Sequence, residues 1–157
     1  MDRRFRKHIE GLHAKVNDLL AKPGIVFGTL PRKVELPSSG VYLFTERGRH
    51  LYVGRSNSLH QRLRNHCRPS ARHNQASFAF RLALRQCGIG AATYSKKSSR
   101  AVLAQKPHVK RAFAAAKARL RKCKIRFVEE RDQVRQALLE IYAAMRLRTP
   151  YNDFKTH

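Results

Sequence analysis

Two short runs of aromatic and β-branched residues, GVYLFT at positions 40–45 and HLYVGR at positions 50–55, constrain the fold most strongly. Runs of this composition favour strands, and the short segment that separates them contains Gly48. The sequence therefore predicts an antiparallel β-hairpin. A further alternating run at positions 124–129 predicts a third strand.

Helices are predicted on both sides of these strands, because apolar residues recur there at intervals of three and four. Asp2 is positioned to cap the first helix, and Pro23-Gly24 ends it. Further helices are predicted from Ser56-Asn57-Ser58 to about His66, over positions 75–86 with a stop at Gly88, before the third strand, and after it. The apolar face predicted for the first helix consists of Phe5, Ile9, Leu12, Val16 and Leu19. That of the helix before the third strand consists of Val109, Phe113, Ala116 and Leu120. That of the final helix consists of Val134, Leu138, Ile141, Tyr142 and Met145.

The elements predict an α+β chain that contains a β-hairpin, a third strand and several helices. A chain of 157 residues can bury one sizeable core but not two of ordinary size. We therefore expect an N-terminal helix and connector at 1–36 and a single globular unit at 37–157.

Charge points to a polyanionic partner. The chain has 34 Lys and Arg against 10 Asp and Glu, a formal net charge of +24. No acidic residue occurs between Glu46 and Glu129, whereas 21 Lys or Arg do. Such a stretch repels itself unless phosphates neutralise it. Charge alone fits a protein that only coats nucleic acid as well as it fits an enzyme.

The three cysteines are odd in number, widely spaced and in no Cys-x-x-Cys pair, which argues against a disulfide framework or a zinc ribbon. We expect reduced thiols and a cytoplasmic, nucleic-acid-associated protein. No apolar run approaches the roughly 20 residues that a bilayer requires, so no membrane span is expected.

Two tyrosines and two basic residues are brought close together by the predicted elements. Tyr42 and Tyr52 lie on paired strands, near the start of a helix that carries Arg62 and His66 four residues apart on one face. Singly, each has a plain explanation, since tyrosines in hairpins usually pack and arginines usually face solvent. Their order and spacing indicate a site.

Gly40-Val41-Tyr42, then Tyr52-Val53-Gly54, then Arg55, Arg62 and His66 together resemble the signature of the GIY-YIG nuclease family. The resemblance continues in Leu138-Leu139-Glu140 and Pro150-Tyr151-Asn152, which are similar to the family's metal-binding glutamate and closing asparagine. It covers about residues 37–153. The stretch after His66 is longer and more basic than in minimal members. The resemblance implies an α+β fold with the family's small three-stranded antiparallel sheet flanked by helices, here with an extra N-terminal helix and a basic helical insertion. The elements predicted above are compatible with this fold.

The resemblance implies a DNA endonuclease that hydrolyses phosphodiester bonds, with repair, restriction and mobile-element roles all open. It implies Glu140 as ligand of Mg²⁺, for which Mn²⁺ can substitute, and structural roles for Gly40, Gly54 and Asn152. The implied catalytic residues are Tyr42, Tyr52, Arg55, Arg62, His66 and Glu140. Tyr42 or His66 is expected to activate water, and Tyr52 to position it. Arg62 suits stabilisation of charge on the phosphoryl oxygens, because its guanidinium offers a fork of donors.

Basic residues beyond these are expected to contact DNA, whether duplex or branched: Arg64, Arg68, Arg72, Lys96, Lys97 and Arg100. Cutting both strands with a single-site domain requires two copies, which makes a homodimer on DNA one arrangement to consider. The competing hypothesis is a non-catalytic basic nucleic-acid-binding protein on the same scaffold. The presence of both Arg62 and Glu140 favours the enzyme.

Overall fold

A computed structural model describes residues 1–90, 92–93 and 95–154 of the chain. The last three positions of the predicted 37–157 unit lie outside this description. Strands β1 (Gly40–Glu46) and β2 (Arg49–Ser56) form the predicted hairpin, and β3 (Lys124–Glu129) pairs antiparallel with the other side of β1. The sheet order is β2-β1-β3, so the predicted three-stranded antiparallel sheet is confirmed.

β1 is the central strand of the sheet, and side chains on both of its faces are buried in hydrophobic cores. Tyr42 and Phe44 point into one core, whereas Val41 and Leu43, which alternate with them, point into another. The helices α3 (Leu59–Cys67), α4 (Ser77–Gln86) and α6 (Pro107–Lys122) contribute to the first core, and α2 (Leu12–Ala21) and α7 (Gln133–Leu147) to the second. The sheet is therefore a central layer between two layers of helices.

The region between α3 and β3 holds the predicted basic helical insertion. α4 ends just before Gly88, as expected, and is followed by α5 (Arg100–Gln105) and α6. A small third core between these helices contains Phe80, Leu84, Leu103 and Val109. Within the described residues, no helix is long and apolar enough to cross a membrane.

The N-terminal segment differs from the single helix that the spacing predicts. It forms two helices, α1 (Arg3–Ile9) and α2, separated by Gly11 with φ +78°. An α-helix cannot continue through a left-handed residue, so the apolar stripe is broken there. Leu12, Val16 and Leu19 are buried as expected, but Phe5 is 47% exposed and its assignment to the packed face is wrong. Asp2 caps α1 as predicted.

The buried face of α7 also differs from the prediction. Val134, Ile141 and Met145 are exposed, and the residues that point inward are Gln136, Leu139, Ala143 and Ala144. The small side chains of the two alanines let the helix approach the sheet closely, which a face of larger residues would prevent. Leu138 and Tyr142 of the predicted face are half-buried and pack against the second core, so the prediction is wrong for Val134, Ile141 and Met145.

Candidate active site

Tyr42 lies at the middle of β1 directly opposite Gly54 of β2. A Cβ at position 54 would overlap the Tyr42 hydroxyl, so only glycine leaves room for the phenol. Gly40 is similarly confined, because its Cα faces the Val128 carbonyl of β3. Gly54 thus leaves the space in which the Tyr42 phenol lies, and Gly40 allows β1 and β3 to approach closely.

His66, on α3, contacts Tyr42 from above the sheet. The Tyr42 hydroxyl and His66 Nε2 are 2.8 Å apart, and both side chains are buried. Tyr52 is more exposed, with its ring 6.3 Å from that of Tyr42 and stacked at 4.4 Å on Phe78 of α4. An aromatic cluster therefore fixes both tyrosines and the histidine in one orientation.

The protonation of this cluster follows from its burial. Burial lowers the pKa of His66 to about 3, and the charge of Arg62 acts in the same direction, so the imidazole is neutral near pH 7. His66 Nδ1 is buried and has no hydrogen-bond partner among the described residues. Because a buried N–H without an acceptor is costly, the ring proton is assigned to Nε2, which then donates to the Tyr42 oxygen.

Burial also raises the pKa of Tyr42 well above its usual value, and the neighbouring Tyr52 phenol raises it further. Arg62 opposes this shift, as it does for Tyr52, whose pKa is also raised mainly by burial. Arg62 is thus close enough to influence both phenols. The phenols are uncharged at rest.

Glu140 projects from α7 toward the same place. Its Oε2 accepts a hydrogen bond from Arg55 Nε at 3.0 Å, and 19% of its side chain is exposed. Burial raises the pKa of this carboxyl, whereas Arg55, Arg62 and Arg81 oppose the rise. The five predicted catalytic side chains around Arg62 are therefore brought together by β1, β2, α3 and α7: Tyr42, Tyr52, Arg55, His66 and Glu140.

Asn152 holds the far side of β2. Its Oδ1 accepts from Val53 N at 2.8 Å, and its Nδ2 donates to Val53 O at 2.7 Å. Thr149 Oγ1 donates to the same Oδ1 at 2.8 Å. Asn152 therefore fixes the backbone between Tyr52 and Gly54 and does not touch the catalytic groups directly.

The side chains predicted to contact nucleic acid fall into two groups. Those of Arg64, Arg72, Lys96 and Lys97 are exposed. Arg68 is half-buried, and Arg100 donates to the His73 carbonyl and lies over the Phe80 ring at 5.0 Å. The first group is free to meet a polyanion, whereas Arg100 also has an internal structural role.

Arg81 of α4 is a member of the site that the sequence did not reveal. Its guanidinium donates to the Tyr151 carbonyl and is close enough to lower the pKa of both Tyr52 and Glu140. An arginine on an amphipathic helix in a chain this basic carries no distinguishing signal. Only the packing of α4 against the segment after α7 identifies it.

The described part of the chain contains no group of three or more His, Cys, Asp or Glu side chains that could hold a metal ion. All three cysteines are free thiols. Glu140 is the single carboxylate that we place beside the tyrosines and arginines.

The site thus combines a buried tyrosine-histidine pair with a carboxylate among arginines, on a small antiparallel sheet. The chain belongs to the family of the GIY-YIG catalytic domain, whose model matches residues 38–152. Comparisons with curated proteins and with solved structures gave no match.

Proposed function

We propose that the protein is a metal-dependent DNA endonuclease that hydrolyses phosphodiester bonds at the site around Arg62. The observation that carries the proposal is the position of this one guanidinium. Its charge acts on Tyr42, on Tyr52 and on Glu140. A phosphate held there would have a candidate base and a candidate metal ligand within reach of the same arginine.

Tyr42 is the group that we assign to activation of the attacking water. A histidine whose pKa is about 3 is a poor proton acceptor, so His66 is better suited to donate from Nε2 to the Tyr42 oxygen. That hydrogen bond and the charge of Arg62 both favour the phenolate. The resting phenol must first release its own proton to solvent, after which the phenolate can take a proton from the attacking water. Tyr52, at the more exposed edge of the cluster, is assigned to positioning the water.

Arg62 and Arg55 supply positive charge for the phosphoryl oxygens. A guanidinium presents several donors in a fixed plane, which suits the charge that develops in the transition state. Arg55 is tied to Glu140, so its contribution is mainly electrostatic and includes holding that carboxylate ionised.

Glu140 is the residue that would hold Mg²⁺, or Mn²⁺ in its place. The carboxylate is a hard oxygen donor with partial access to solvent, and it has only one of its oxygens bonded to Arg55 among the described residues. A single carboxylate fits Mg²⁺ because this ion keeps several waters and takes substrate phosphate as a further ligand. When bound, the ion would polarise the phosphoryl oxygens and acidify a coordinated water.

DNA, duplex or branched, is the substrate that we propose, with the exposed Arg64, Arg72, Lys96 and Lys97 as backbone contacts. A homodimer on DNA would let this single-site domain cut both strands. The second candidate is a non-catalytic binder on the same scaffold, which the net charge of +24 favours equally. The two functions predict opposite effects of replacing Glu140 on Mg²⁺-dependent cleavage.

The test replaces Glu140 with Gln, which removes the carboxylate charge and keeps the shape, and separately with Ala. Glu129→Gln is the matched control, because Glu129 pairs with Arg131 instead of an active-site arginine. For a nuclease, Mg²⁺-dependent cleavage disappears in both Glu140 variants and persists in the control, while DNA affinity without metal holds or rises slightly.

A thermal melt must accompany this assay, because Glu140 adjoins buried Leu139 and a collapsed fold would also abolish cleavage. A folded Glu140→Gln protein that cuts at the wild-type rate would overturn the metal assignment. Wild-type protein that binds but never cuts duplex, nicked, flapped or branched DNA with Mg²⁺ or Mn²⁺ would support the binder.

A further inference from the structure

A second basic site lies beside the one just described. A cavity of about 150 Å³ opens between α4 and the segment that follows α7, and three arginines of the basic insertion line it: Arg81, Arg85 and Arg100. None of the three belongs to the residue pattern that identifies the family. The remaining wall includes Tyr151, Asn152 and Asp153.

Two of these arginines are held in place by the protein itself. Arg81 donates to the Tyr151 carbonyl, and Arg100 donates to the His73 carbonyl with its guanidinium over the Phe80 ring. Each of these contacts uses only some of the five N–H donors of a guanidinium. The cavity is therefore lined by oriented cations with donors to spare.

The charge balance of the cavity is positive. Three arginines and one acidic residue, Asp153, are among the described residues that line it. Burial lowers the pKa of Arg100, and the charge of nearby Arg81 lowers it further. Like charges confined in this way are stabilised by an anion between them.

The cavity adjoins the catalytic groups. Asn152 lines it and also holds Val53 between the active-site residues Tyr52 and Gly54. Arg81, which lines the cavity, also acts electrostatically on Tyr52 and Glu140. An anion in the cavity would thus lie next to, but not in, the position proposed for the phosphate that is cut.

We propose that this cavity binds a second phosphate group of the nucleic acid, adjacent to the scissile one. The proposal rests on the proposed function and deepens it. At about 150 Å³ the cavity is smaller than the roughly 300 Å³ at which pockets for whole small molecules begin, so it suits a phosphate and not a complete nucleotide. The phosphate is either an internal phosphodiester or a terminal phosphomonoester at a nick or flap.

Arg85 is the residue through which to test the site. It is exposed, and its guanidinium lies over the Tyr151 ring at 4.9 Å without the carbonyl contacts that Arg81 and Arg100 make. Arg85→Gln removes the charge, and Arg85→Lys restores it. Arg111→Gln is the matched control, because Arg111 is also exposed in the insertion but lines a different cavity with His108 and Ala112.

Affinity is measured without divalent metal on nicked duplexes in which one phosphate at a time is replaced by an uncharged methylphosphonate. The duplexes are prepared with and without a phosphate on the 5′ end at the nick. Wild-type protein is expected to lose about tenfold in affinity at one position, the size of a lost charged hydrogen bond. Arg85→Gln should weaken binding to unmodified DNA and should lose less than wild type on modification of that position, because one of the three cations is already absent. Arg85→Lys and Arg111→Gln should keep the wild-type sensitivity.

Arg85 is coupled to a phosphate when the effects of changing both on affinity are not additive. Coupling to an internal position identifies a phosphodiester, and coupling only to the 5′ phosphate identifies a phosphomonoester. If the loss of affinity from Arg85→Gln and the loss from the methylphosphonate are simply additive at every position, the proposal is overturned. Because this readout needs no cleavage, it is separate from the nuclease assignment. Coupling in a protein that never cuts DNA would support the phosphate site and overturn the proposed endonuclease activity.

Discussion

The side-chain amide of Asn152 forms hydrogen bonds with both the N–H and the C=O of Val53, a residue 99 positions earlier in the chain. Val53 is on β2, which is an edge strand, so its outward N–H and C=O have no strand to pair with. The amide takes the place of a neighbouring strand at the point where β2 carries Tyr52 and Gly54. It thereby ties the segment after α7 to the hairpin.

Replacing Asn152 with Leu should lower the free energy of unfolding by roughly 2 kcal/mol, because two part-buried backbone groups lose their partners. Asn152→Asp keeps the acceptor for Val53 N–H but cannot donate to Val53 O, so it should remain destabilised. Urea denaturation measures both, with Asn17→Ala on exposed helix surface as the control. Wild-type stability in Asn152→Leu would contradict this role.

Gly54→Ala should reduce turnover strongly, because the added Cβ would overlap the Tyr42 hydroxyl and push the phenol away from His66. Overpacking of this kind also costs about 1–3 kcal/mol of stability. Gly28→Ala is the control, since nothing lies within 4 Å of the Cβ it would add. Equal activity in the two variants would show that the position of Tyr42 does not limit cleavage.

Arg62→Ala and Arg64→Ala separate catalysis from binding on one helix. Arg62 lies among the active-site groups, and its loss should lower kcat by on the order of 100-fold. Arg64 is exposed, so its loss should weaken DNA binding with little change in kcat. If the Arg62 variant lost affinity and turnover equally, it would be an ordinary phosphate contact.

Stability should fall in mild acid because of His66. Its pKa is about 3 when folded and near 6.5 when unfolded, so between these values the unfolded chain binds a proton that the folded chain does not. The stabilising effect is complete above pH 6.5 and is lost as the pH falls toward 3. Between pH 7 and pH 5 the loss should be about 2 kcal/mol.

Urea denaturation at the two pH values checks this, and His66→Gln should flatten the dependence. Burial lowers the pKa of His50 as well, so a smaller slope of the same sign should remain in the variant. An unchanged slope would show that His66 is not the group responsible.

DNA affinity should depend steeply on salt between about 50 and 200 mM, because the acid-free stretch releases counterions on contact with phosphates. Replacing both Lys96 and Lys97, which are exposed, with Gln should reduce the slope of log affinity against log salt by about 2. Lys7→Gln on α1 is the control. A nearly flat dependence in the wild type would point to a partner that is not a polyanion.

The sequence predicted the sheet well because strand signals are local. Alternation over 124–129 gave β3 with its observed bounds, and the spacing around Gly48 gave the hairpin. The inward side of α7 was not predictable in the same way. Large apolar residues occur on both sides of that helix, and close packing against the sheet selected the side with Ala143 and Ala144.

The same limit applies to the site. Spacing placed Arg62 and His66 on one helical face, and the family pattern supplied Glu140. Nothing local distinguishes Arg81 from the other arginines, because its role depends on contact with Tyr151, 70 residues away. Which basic side chains point inward is likewise decided by packing between elements that are distant in sequence.

Carbonyls at the end of α3 and just after it accept hydrogen bonds from side chains that lie much later in the chain. Lys117 Nζ donates to the carbonyls of Pro69 and Ala71, and Arg121 donates to that of Cys67 at 3.1 Å. A loop of about 50 residues must therefore close before the end of the Arg62 and His66 helix is secured, and closing long loops is slow. The order of folding follows: the hairpin can form early from local contacts, whereas catalytic competence must wait for α6 to dock.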